Sequence, residues 1–232
     1  MITGVIQWPT SVQRRAVLVE VAAAIPIPGG ASAVLVAVDG VDGAGKTVFA
    51  DQLGDVLTAA GRTVIRASTD DFHRPQAERY RRGRTSPVGF WLDSYDYDRL
   101  RGELLDPLSG GDGIYRSAVH DLVSDQPVEL PPQHWAPGAV LLLDGLFLHR
   151  DELQAYWDFS VWLEVPFSVT AARMARRDGT SPDPADPSMA RYVAGQRLYL
   201  AQCEPALRAT IVVDNTDTDR PTVQARRQAP EA

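Results

Sequence analysis

Eight consecutive residues, Gly40-Val41-Asp42-Gly43-Ala44-Gly45-Lys46-Thr47, constrain this chain more than any other stretch. They match the spacing of a glycine, four residues and then Gly-Lys-Thr, the Walker A phosphate-binding loop. Such a loop works only between a strand and a helix, and both are legible. The apolar run Val34-Leu35-Val36-Ala37-Val38 reads as a buried parallel strand. Residues 48–60 follow with Val48, Phe49, Leu53, Val56 and Leu57 near one helical face. Gly40, Gly43 and Gly45, with Ala44, let the backbone curl until successive N–H groups face phosphate oxygens at the positive end of that helix. In this pattern Lys46 reaches the β- and γ-phosphates and the Thr47 hydroxyl ligates Mg²⁺. Lys46 is also the only lysine in the chain, a slim ammonium where one must enter the loop.

Composition narrows the setting. With 232 residues, 44% hydrophobic and 23% charged, the chain can bury a substantial core as one α/β domain. A net charge of −7 argues against a protein that coats nucleic acid, while allowing a local basic pocket. Cys203 is alone, which excludes an intrachain disulfide framework and a Cys-rich zinc site. No apolar run approaches bilayer length, and Met1-Ile2-Thr3 lacks the charged start of a secretory signal. The expectation is a cytoplasmic protein with no nucleic-acid or membrane partner; self-association is left open.

Taken in order, residues 1–9 look loosely structured, residues 11–25 read as a helix, and Pro28, Gly29 and Gly30 close it. The expected organisation is an N-terminal helix and linker over 1–30, a phosphate-loop domain over 31–216, and a disordered tail over 217–232. After the loop helix, residues 63–67 form a second strand, giving the β-α-β unit of parallel sheets. Residues 74–91 are polar and arginine-rich, with Gly83, Pro87 and Gly89 as breakers, and read as a surface helix and loop. A helix ending near Leu105 follows, then a turn at Gly110-Gly111-Asp112-Gly113. A hairpin is expected from residues 114–122 and 126–130, with Asp125 near the bend. Strands are expected at 139–145, 159–165 and 210–214, and helices at 166–178 and 188–202. A Pro/Asp-rich loop over 179–187 has the composition of a mobile cover.

Ligands of parallel sheets sit beyond the carboxyl ends of the strands. Two acidic positions fall there. Asp70 and Asp71 follow the second strand, suited to a base or a metal ligand, and Asp144 ends the apolar run Val140-Leu141-Leu142-Leu143. The latter is a Walker B pattern, in which a strand delivers one carboxylate beside the phosphate loop to hold Mg²⁺ directly or through water.

In this order the motifs resemble the uridine kinase and phosphoribulokinase group of P-loop kinases. The resemblance spans residues 34–215 and rests on Gly40-x4-Gly45-Lys46-Thr47, Asp70-Asp71-Phe72-His73, Tyr115-x4-His120 and Leu143-Asp144-Gly145-Leu146-Phe147. The arginine-rich helix 173–178 and Ile211-Val212-Val213-Asp214-Asn215 complete it. It implies a three-layer α/β P-loop NTPase-type sandwich with a parallel central sheet, a small β-hairpin substrate region and a helical lid. It implies ATP and Mg²⁺, and a small-molecule acceptor such as uridine or cytidine. By resemblance, Asp70 takes the acceptor hydroxyl proton, Asp93 grips ribose hydroxyls, and Tyr115 and His120 read the base. His73 joins the acceptor side, and Arg173 and Arg177 neutralise charge on the transferring phosphoryl group.

The departures fall on the acceptor side. Ser117 stands where uridine kinases place a phenylalanine, Asp144 where they usually carry Glu, and Gly179-Thr180-Ser181-Pro182-Asp183 replaces their basic lid. His73-Arg74 is more like phosphoribulokinase, and Asp70-Asp71-Phe72 more like nicotinamide riboside kinases. A kinase for another sugar-like or vitamin alcohol is therefore the alternative, followed by a P-loop protein that binds nucleotide without catalysis. A thymidylate-kinase-like reading fits the loop but not a carboxylate base after strand two, which an anionic acceptor does not need. A GTP-operated switch is excluded, since its Asn-Lys-x-Asp motif needs a second lysine.

Overall fold

The structure, a computed structural model, describes residues 10–27, 32–110 and 113–226. The expectations for residues 1–9, for Pro28, Gly29 and Gly30, for the Gly111-Asp112 part of the turn and for residues 227–232 lie outside the described residues.

Six strands form the central sheet: β1 Val34–Gly40, β2 Val64–Ser68, β3 Val140–Gly145, β4 Phe159–Glu164, β5 Ile211–Asp214 and β6 Thr222–Arg226. Their order across the sheet is β6-β5-β4-β1-β3-β2. The first five strands run parallel, and β6 pairs antiparallel with β5. Helices flank this sheet in a three-layer α/β arrangement. Strands β1 and β3 are buried along their whole length, as their unbroken apolar runs require. Burying each leucine of Leu141-Leu142-Leu143 contributes about 2 kcal/mol relative to exposure.

Register decides where the chemistry lies. Asp144 of β3 stands opposite Val38 of β1 and Ser68 of β2, so three strand ends finish side by side. The phosphate loop leaves β1, and the Asp70 turn leaves β2, on either side of Asp144. Helix α1, Val12–Ala24, is capped by the Ser11 hydroxyl and packs on α2, Lys46–Ala59, which leaves the loop.

Three expectations are corrected. The segment assigned to a loop around Pro87 and Gly89 contains a buried helix, α3 Pro87–Asp93. Proline is compatible with a first helical turn, and Ser86 Oγ accepts the Gly89 N–H at 3.0 Å. Phe90 and Trp91 then pack inward, and the Trp91 indole donates to Gln202. The tail is ordered over part of its length, because Thr222–Arg226 finds the free edge of β5. The single hairpin is two nested ladders: Ile114–Tyr115 pairs with Gln133–His134, and His120–Asp121 with Gln126–Pro127. Asp125 does lie at the inner bend, with φ +56°.

The remaining long helices are α4, Phe167–Asp178, and α5, Ala190–Cys203, flanking the 179–187 loop. Among the described residues no helix is long and apolar enough to cross a membrane.

Candidate active site

The phosphate loop is built by backbone geometry that its glycines permit. Gly43 has φ +73°, and a Cβ there would lie 2.8 Å from the Thr170 carbonyl of α4. Helix α4 therefore closes against the loop only if residue 43 lacks a side chain. Lys46 folds back, its ammonium donating to the Val41 carbonyl at 3.0 Å. Thr47 Oγ1 donates to Asp144 Oδ2 at 2.7 Å, joining the two expected metal-side residues.

Asp144 is almost wholly buried, and its other oxygen is held by Arg66 at 2.8 Å. Arg66 projects from β2, also binds Asp51 and donates to the Leu142 carbonyl, so this arginine spans β2, α2 and β3. Its signal in the sequence was one cation inside the otherwise apolar run Val64-Ile65-Arg66-Ala67.

Asp70 lies on the 3₁₀ turn Thr69–Phe72 directly after β2. The Tyr95 hydroxyl faces Asp70 Oδ1 at 3.4 Å. The turn approaches β3 because Gly145 has no side chain: a Cβ there would fall 1.8 Å from Thr69 Oγ1. Burial pushes the Asp71 carboxyl above the ordinary range, helped by the charges of Asp70, Asp144 and Asp121. The Asp42 carboxyl is pushed up by burial and by Asp70, against Lys46 and Arg177 pulling it down. Asp42, Lys46, Asp70 and Arg177 thus share one electrostatic neighbourhood at the loop's open side.

His73 Nδ1 lies 2.9 Å from the Asp70 carbonyl, and its ring packs on Tyr95 with centroids 4.4 Å apart. Burial lowers its pKa, so the neutral ring donates through Nδ1 and leaves Nε2 as an acceptor. His120 is buried, with Nε2 3.4 Å from Asp125, and the adjacent Val119 N–H donates to the Asp71 carbonyl. His120 is therefore tied to the Asp70 turn. Tyr115 is buried on the other ladder, its hydroxyl donating to Gln133 at 3.0 Å.

Asp93 ends α3 with both oxygens taken, by Arg81 at 2.5 Å and Arg82 at 2.8 Å. Burial acts most strongly on this carboxyl and upward, but the hydrogen bonds and charges of the two arginines outweigh it and hold the pKa below the ordinary range.

The two expected lid arginines differ. Arg173 donates to the backbone carbonyls of Gly43, Asn215 and Thr216, bracing the loop. Arg177 is largely exposed, pairs with Asp178 and lies within electrostatic reach of Asp42 and Asp70.

Several contacts escaped sequence reasoning, those of Asn215 and Phe147 among them although both residues lie in the quoted motifs. Asp39, fully buried before the loop, accepts from the Gly40 N–H at 2.7 Å, from both the backbone and Nδ1 of His149, and from the Tyr199 hydroxyl. Gln196 of α5 accepts the Asp42 N–H at 2.6 Å. Asn215 donates to the Ala44 carbonyl of the loop, and Arg14, from the other end of the chain, donates to Asn215. Phe147, buried just beyond Asp144, holds φ +67°, a strained conformation that packing on Trp91 and Tyr199 sustains.

No family model matches this sequence, and no curated protein matches it. Solved structures do match. A chain described as a possible uridine kinase from Bacillus stearothermophilus superposes with TM-score 0.68 at 24% identity, covering 86% of this chain and 96% of that one. A chain described as a candidate fructose transport system kinase from Silicibacter sp. TM1040 gives 0.63 at 25% identity, covering 81% and 94%. Phosphoribulokinase from Rhodobacter spheroides gives 0.56 at 12% identity, covering 80% and 71%. The chain has the fold of the uridine kinase and phosphoribulokinase-like group of P-loop kinases.

Proposed function

We propose that this chain, folded as a P-loop small-molecule kinase, transfers the γ-phosphoryl group of ATP to the primary hydroxyl of a small alcohol. A nucleoside such as uridine or cytidine is the leading acceptor. The observation that carries the reading is the convergence of Lys46, Thr47, Asp70 and Asp144 at the carboxyl ends of β1, β2 and β3.

The donor set fits Mg²⁺, a hard cation that takes one or two protein oxygens and completes its shell with water and phosphate. Thr47 Oγ1 and the Asp144 carboxylate are such oxygens, already joined to each other. When bound, Mg²⁺ would be held by Thr47 and Asp144 and would offset charge on the phosphates. The loop amides and Lys46 would bind the phosphates, and Arg177 would meet charge on the transferring group. Asp70 would orient the acceptor hydroxyl and accept its proton as oxygen attacks γ-phosphorus. The bond to the β–γ bridging oxygen breaks, giving ADP and a phosphate ester. Little base strength is needed, so an exposed carboxylate suffices. His73 and His120, beside the Asp70 turn, would line the acceptor.

One observation favours a second reading. Asp93, matched to a ribose-gripping carboxylate, has both oxygens engaged by Arg81 and Arg82. That supports a sugar-like or vitamin alcohol as the acceptor instead. The test is a panel of nucleosides, sugars, sugar phosphates and vitamin alcohols, read by ADP release and product mass. Transfer to none of them would leave a nucleotide-binding protein without kinase activity.

A further inference from the structure

Helix α1 reaches the phosphate loop through two buried polar side chains. Arg14 Nη1 donates to Asn215 Oδ1 at 3.0 Å, and Asn215 Nδ2 donates to the Ala44 carbonyl at 2.7 Å. Arg14 also donates through Nε to Gln52 of α2 at 2.5 Å and through Nη1 to the Thr218 carbonyl at 3.0 Å. Asn215 is wholly buried and Arg14 nearly so.

The direction of these bonds matters. A guanidinium only donates and a backbone carbonyl only accepts, so the Asn215 amide can satisfy both neighbours in one orientation alone. Arg14 thereby sets which face of that amide meets the loop. In a planar trans peptide the C=O and N–H point to opposite sides. Anchoring the Ala44 carbonyl outward turns the Gly45 N–H the other way, to the loop's concave side. The preceding N–H, that of Ala44, is already spent on Val41 at 3.0 Å, so the anchored peptide matters to the cradle.

We propose that Asn215, oriented by Arg14, is a positioning residue that aims the Ala44–Gly45 peptide at nucleotide phosphate. Residues 11–24 are then part of the nucleotide-binding device. This rests on the phosphate-loop reading above and assigns the N-terminal helix a role in it.

Asn215→Asp separates positioning from simple support. The carboxylate keeps its partner Arg14, now as an ion pair, but sets an acceptor against the Ala44 carbonyl and repels the loop. Calorimetric binding of ATP and ADP, melting temperature and acceptor KM are measured together. The expected result is nucleotide affinity reduced about tenfold, the loss of one good hydrogen bond, with a lower melting temperature from the buried repulsion and an acceptor KM near wild type. Arg14→Lys serves as the second variant. A single ammonium cannot stand at both the Nε position that meets Gln52 and the Nη1 position that meets Asn215 and Thr218, so a smaller loss of the same selective kind is expected. Unchanged nucleotide affinity in folded Asn215→Asp overturns the inference and leaves the kinase reading intact. So does an equal loss for nucleotide and acceptor. If Asn215→Asp does not fold, Arg14→Lys decides by the same criteria. Wild-type protein that binds no nucleotide would overturn this inference and the kinase reading together.

Discussion

Gly145 and Thr69 touch so closely that the contact leaves no room for a Cβ at residue 145: it would lie 1.8 Å from Thr69 Oγ1 and 2.7 Å from Thr69 Cβ. The turn carrying Asp70 is therefore seated directly on the end of the strand carrying Asp144. The spacing between Asp70, the proposed proton acceptor, and Asp144, the proposed metal-side carboxylate, is set by an absent side chain.

Gly145→Ala should push that turn off β3. Overpacking of this kind costs about 1–3 kcal/mol, and displacing a reacting group by about 1 Å costs about 10²-fold in rate. The expectation is a modest fall in melting temperature with a disproportionate fall in kcat. Thr69→Gly in the same chain should recover part of both, which thermal denaturation and steady-state kinetics would reveal.

Asp144→Asn should weaken metal use more than nucleotide use. Its carboxylate meets Thr47 and Arg66, and the amide would lose the charge that holds a cation. The Mg²⁺ concentration for half-maximal ATP affinity should rise about tenfold, the effect typical of altered residues around a metal. ATP binding measured in chelator should stay near wild type. An unchanged Mg²⁺ titration would remove Asp144 from the metal side.

Asp93 yields a pH prediction. Its folded pKa lies below the ordinary carboxylate value, so the ionised form stabilises the protein fully above about pH 4 and loses that contribution as pH falls through the folded value. Arg81 and Arg82 are 61% and 47% exposed, so solvent screening discounts what the two ion pairs contribute. Asp93→Asn should therefore melt below wild type at pH 7, with the gap narrowing toward pH 2. A gap that is constant or widens in acid contradicts the assignment.

Which parts were legible in the sequence follows from how local each signal is. Strands β1 and β3 announced themselves because burial on both faces demands unbroken apolar runs, and the loop because phosphate binding demands its glycines and Lys46. Helix α3 was hidden because Pro87 and Gly89 act as breakers in isolation, while Ser86 and the packing of Phe90 and Trp91 make them helical. Strand β6 was hidden because its residues are polar and exposed; only the open edge of β5 recruits them. The Asp39–His149–Tyr199 cluster and the Arg14–Asn215 link were invisible for another reason. They join residues 50 to 201 positions apart, and no spacing rule encodes that. Asp93 was legible as a position, but its capture by Arg81 and Arg82 was not, since a polar, arginine-rich run normally reads as a solvated face.

Asp70 is the proposed proton acceptor for an alcohol attacking a phosphoryl group held by the loop. The most direct test is Asp70→Asn, assayed with saturating Mg²⁺-ATP and the acceptor identified from the panel, with nucleotide affinity measured alongside. Nucleotide affinity should stay within about twofold of wild type while kcat falls by about 10²- to 10⁴-fold, the range for loss of a positioned acid–base group. Wild-type turnover in Asp70→Asn would contradict that role.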